Sequence, residues 1–134
     1  MASVQAPIFA ALARFKAQWP QRGWSYDNRF QCVASSFDAS SSEAARGLIA
    51  VLLPHEWTSR SIATAPSAIA QIAERTGGLR AAQRVFAAEP QGSLIPYGLW
   101  WPWEEGQTIS LRIGLENASP GHTLDLCNVF GVEP

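Results

Sequence analysis

Tyr97, Trp100, Trp101 and Trp103 place four aromatic rings within seven positions, in a chain that has six tryptophans. Trp offers a large rigid surface with one N–H donor, which is why it is enriched where proteins recognise one another. In an extended segment neighbouring side chains point to opposite faces, so Trp100 and Trp101 cannot share one. At least one of them, or Trp103 in the turn beyond, is expected at the surface. The plainer account has these rings covering a sheet's second face or packing under the first helix. Arg112 is the other side chain suited to recognition. A mid-strand arginine on a polar face can grip a carboxylate bidentately, although it also serves as a cross-strand partner for an acid such as Asp125 or Glu116.

No catalytic or metal-binding signature accompanies them. His55-Glu56-Trp57 resembles half of a zinc-protease helix motif, but Ser59 stands where the second histidine belongs, so a turn with Trp57 tucking back into the core is expected. His122, Asp125 and Cys127 are close in sequence, yet a strand through them turns His122 away from the other two, so no base sits beside the thiol. Gly77-Gly78 follows a helical stripe, whereas a dinucleotide fingerprint opens one. Glu104-Glu105 are adjacent acids in a turn. Cys32 and Cys127 lack metal-ligand spacing and are expected as buried free thiols. No cofactor or metal is indicated.

Composition narrows the partners. The chain has 134 residues, 47% hydrophobic and 16% charged, with a net charge of −1. That length suits one domain, residues 1–134, able to bury a core without staples. The weak net charge and interspersed arginines argue against nucleic acid, whose binding rests on clustered positive charge. The early apolar run Ala6–Leu12 lacks a preceding basic segment, and no stretch is long enough to span a membrane. A cytoplasmic location is therefore expected, with no membrane association.

The elements that must carry these residues follow from periodicity. Ile8, Leu12, Phe15 and Trp19 recur as one helical face between Pro7 and Pro20. Trp24 to Ser35 reads as a strand, followed by a serine-rich loop to Ser42. Leu48 to Leu53 is ambiguous: Ser40 and Glu43 form a capping-box pattern that would start a helix, while Gly47 and the stop at Pro54 favour a buried strand, the reading adopted. Ile62, Ala65, Ile69, Ile72 and Ala73 make a second helical stripe ended by Gly77-Gly78. Gln83–Ala88, with a continued helix over Leu79–Ala88 as the alternative, then Leu94–Trp101, Thr108–Leu115 and His122–Phe130 read as consecutive strands.

Short turns between strands require antiparallel pairing. The expected architecture is α+β: an antiparallel sheet of about five or six strands, ending in a C-terminal meander, with two helices packed on one face. On it the first functional reading is a non-enzymatic module that recognises a protein or peptide through Tyr97, Trp100, Trp101 and Trp103, anchored by Arg112. A small cofactor-independent enzyme, with His55, His122, Asp27 or Asp125 converging between sheet and helices, is the second. The third is a structural or regulatory homodimer joined at a sheet edge or the first helix.

Overall fold

In a computed structural model, which describes residues 7–20 and 23–134, the apolar stripes resolve into four helices and six strands. The helices are α1 (Pro7–Gln18), α2 (Ser42–Leu52), α3 (Ser67–Arg75) and α4 (Pro120–Phe130). The strands are β1 (Ser25–Asp27), β2 (Cys32–Asp38), β3 (His55–Thr58), β4 (Arg84–Ala87), β5 (Ile95–Pro102) and β6 (Thr108–Glu116). They form one antiparallel sheet in the order β1-β2-β6-β5-β4-β3. The α+β class, the antiparallel sheet and the C-terminal meander β4–β5–β6 are as expected.

The two faces of the sheet are covered unequally. Val33 and Phe37 of β2, Ile109, Leu111 and Ile113 of β6, Trp100 of β5 and Phe86 of β4 point to one face, where they join Ile8, Leu12 and Phe15 of α1, Ile49 of α2 and Phe130 of α4. Trp19 just past α1 belongs to this core, and its Nε1–H donates to buried Ser35 Oγ at 3.2 Å. The first backbone amide of α1 with a side-chain acceptor, that of Ile8, donates to Gln91 Oε1 at 2.8 Å, so the β4–β5 connection satisfies that helix start. The other face carries a smaller cluster, Val85, Ala87, Tyr97 and Leu99 under Ile69 and Ile72 of α3. Helices therefore lie on both faces, with three on one and one on the other.

Four local assignments differ from the sequence expectation. Leu48–Leu53 belongs to helix α2 and its end, whose buried positions Ala45, Ile49 and Leu52 follow the 3.6 period. Val51 is 86% exposed, so the continuous apolar run concealed this period. Gly47 lies on the solvent side, where it costs only helix propensity, and Pro54 ends the helix without implying a strand. His122–Phe130 is likewise helical. Ser119 Oγ accepts the His122 amide, the His122 ring accepts the Ser119 amide, Pro120 fills the first turn and Gly131 closes the end at φ 68°.

The segment from Trp24 to Ser35 is a hairpin, β1 to β2, and β2 continues through Ser36 to Asp38 where a loop was expected. Asp27 Oδ1 accepts the amides of Arg29 and Phe30, which folds the turn back. Lastly, His55–Thr58 is an edge strand where a turn was read. Its outer side is blunted because the Thr58 amide donates to Ser61 Oγ at 2.8 Å.

Candidate functional site: an open depression on the sheet

Six strands at about 4.8 Å spacing make a sheet about 24 Å wide, and a helix the length of α3 spans only about 13 Å. α3 packs over β4 and β5, and beyond them Ser25, Ser36 and Asp38 are exposed on the second face, while Cys32 and Gly114 toward its other end are buried. Side chains there come in register. Ser36, Ser110 and Trp101 form one cross-strand row, and Ala34, Arg112 and Leu99 the next. Small residues on β1, β2 and β6 beside a tryptophan on β5 leave a depression of about 500 Å³. It is lined by Gly23, Ser25, Arg29, Ala34, Ser36, Trp101, Pro102, Trp103, Ser110 and Arg112.

Arg112 lines this depression and is held by three partners. Its Nε donates to Asp27 Oδ2 at 3.0 Å, Nη1 donates to Ser110 Oγ at 2.6 Å, and the guanidinium lies 4.5 Å over the Trp101 ring. Phe30 meets the same indole in an edge-to-face arrangement at 5.9 Å. The Asp27–Arg112 pair spans from β1 to β6 across β2, with side chains 15% and 19% exposed. Burial raises the Asp27 carboxyl's pKa, but the Arg112 hydrogen bond and charge, with the Phe30 and Arg29 amides, outweigh it and leave it lowered. Arg29, brought to the rim by the Asp27 turn, stacks 4.2 Å over Phe30 and has no acidic partner among the described residues.

The aromatic residues singled out in the sequence divide three ways. Trp101 and Trp103 line the depression, and Trp103 is 49% exposed. Tyr97 lies on the same face but is buried beneath α3, close over Gly114, with its hydroxyl 3.5 Å from Arg75 Nη2. Trp100 points to the opposite face and packs against Phe37 and Phe86. Arg112 joins Trp101 and Trp103. The sequence reading did not single out Ser25, Arg29, Ala34, Ser36 or Ser110. The signal was the run of small residues alternating along β2 and β6 beside a large aromatic.

The groups named for an enzymatic pocket are held apart. Asp27 is engaged by Arg112 on the open face, whereas His122 and Asp125 sit on α4, which packs against the opposite face. His55 is on the edge strand β3, where Nε2 is 2.9 Å from Glu89 Oε1. Among the described residues no group of three or more His, Cys, Asp or Glu is placed to hold a metal ion, and no helix is long and apolar enough to cross a membrane. Cys32 and Cys127 are both free and buried. No protein-family model, curated protein or solved structure matches this chain.

Proposed function

We propose that this protein is a binding module that takes a protein or peptide segment onto the open half of its sheet, through Trp101 and Trp103 with Arg112 as polar anchor. One observation carries the reading. On one face of the sheet, beside the strands that α3 covers, a depression is lined by an exposed tryptophan, a second, partly buried one and a guanidinium held in place. Trp and Arg are the residue types that dominate binding energy at protein interfaces. The depression is shallow and open, which suits an extended segment better than an enclosed metabolite. Tyr97 and Trp100, buried in their own cores, contribute support only.

A selection of displayed random peptides on the full chain and on Trp103→Ala in parallel tests this. The wild type should enrich related sequences, and the variant should bind them roughly 30-fold more weakly, the loss of one hot-spot tryptophan. Failure of the wild type to enrich any sequence, or equal binding by the variant, would overturn the reading.

A further inference from the structure

Resting on that reading, we infer that the segment bound in the depression is acidic, with an Asp or Glu carboxylate held between Arg112 and Arg29 and a neutral side chain against Trp103. The lining holds two arginines and three serines but no carboxylate, on a chain whose net charge is −1. Asp27, outside the lining and 15% exposed, neutralises one guanidinium, which leaves one positive charge in excess. Within Arg112, Nε is committed to Asp27 and Nη1 to Ser110, while Nη2 has no partner among the described residues. The guanidinium is thus immobilised in advance with a donor edge left over, an arrangement in which a carboxylate gains charge-assisted bonds at little ordering cost.

Asp27 fixes the second cation by the same means, since its other oxygen holds the turn that presents Arg29. A basic peptide residue there would face both guanidinium groups. At the far end the sign reverses. Asp38 pairs with Thr108, the Trp103 amide donates to that same residue's carbonyl, and Glu104 and Glu105 follow in the turn. A carboxylate near Trp103 would therefore meet like charge, which sets the direction of the bound segment.

The test uses three pools of short random peptides whose central position is fixed as Glu, Gln or Lys. Each is titrated into the full-length protein while the indole N–H resonances of Trp101 and Trp103 are followed by NMR. The Glu pool should move both resonances at about tenfold lower concentration than the Gln pool, the value of one charge-assisted hydrogen bond, with the Lys pool weaker still. Arg29→Gln, in an exposed turn, should reduce that preference without abolishing the shifts. Equal titration by all three pools would overturn the acidic preference and leave peptide binding standing. Indoles unmoved by any pool would overturn both.

Discussion

The carboxylate of Asp27 and the guanidinium of Arg112 meet at 3.0 Å across an intervening strand, and Arg112 in turn lies over the Trp101 ring at 4.5 Å. Because Asp27 also caps the β1–β2 turn, one side chain organises both the polar anchor and the cation at the rim. The depression's shape and its charge therefore depend on the same residue.

Asp27→Asn should cost about 1–2 kcal/mol at neutral pH, because it leaves a half-buried arginine with a weaker acceptor. The sign of the pH effect follows from the lowered folded-state pKa of Asp27. Its stabilisation is fully present above the unfolded value of about 4 and is lost as pH falls through the lower folded value. Urea unfolding from neutral to acid pH should show the gap between wild type and variant closing below about pH 4. A constant gap would contradict the pairing.

Trp100 and Trp103, three positions apart and of different fate, give a stability contrast. Trp100 is 4% exposed, and Trp100→Ala should cost about 3–5 kcal/mol. Trp103, half exposed in a turn, should change stability by less than about 0.5 kcal/mol when replaced by Ala. Thermal melts of the two variants check this. Comparable losses would mean that Trp103 is structural.

Two glycines separate close packing from simple propensity. A methyl group built at Gly114 would fall 2.5 Å from Tyr97 Cζ. Gly114→Ala should therefore destabilise by about 1–3 kcal/mol, with part of that loss recovered in a Gly114→Ala/Tyr97→Leu double variant. At Gly47, mid-helix and facing open space, Ala should stabilise by about 0.5–1 kcal/mol. Denaturant midpoints read both signs.

The buried thiols should be silent in the folded protein. Burial, aided by the Asp27 charge and opposed by the arginines, pushes the Cys32 thiol up to about 12, and burial raises Cys127 as well. A thiol-specific reagent at mildly alkaline pH should react with neither until denaturant is added, after which both should titrate. Fast labelling of the native chain would contradict their placement.

The sequence was most legible where one period dominated a segment. The alternation through Ile109, Leu111, Ile113 and Leu115 and the stripe of α1 both emerged as read. It misled where apolar residues ran on, as in Leu48–Leu53, and where strand-like alternation concealed a helix whose signals lay just outside it, in Ser119-Pro120 and Gly131. The site was half visible. Trp101, Trp103 and Arg112 stood out by type, but the depression exists because Ala34, Ser36 and Ser110 are small. Their adjacency depends on β2 pairing with β6, a contact between segments over seventy residues apart.

Site-specific photo-cross-linking in the native cell reads out whether a partner protein sits in the depression. A photoreactive residue placed at Ser36, which is exposed within the depression, is compared with one at Val51, 86% exposed on the outer side of α2. A discrete adduct with a second protein is expected from position 36, reduced by Trp103→Ala, and none from position 51. Adducts from position 51 alone, or equal labelling from both positions that ignores the Trp103 substitution, would contradict it.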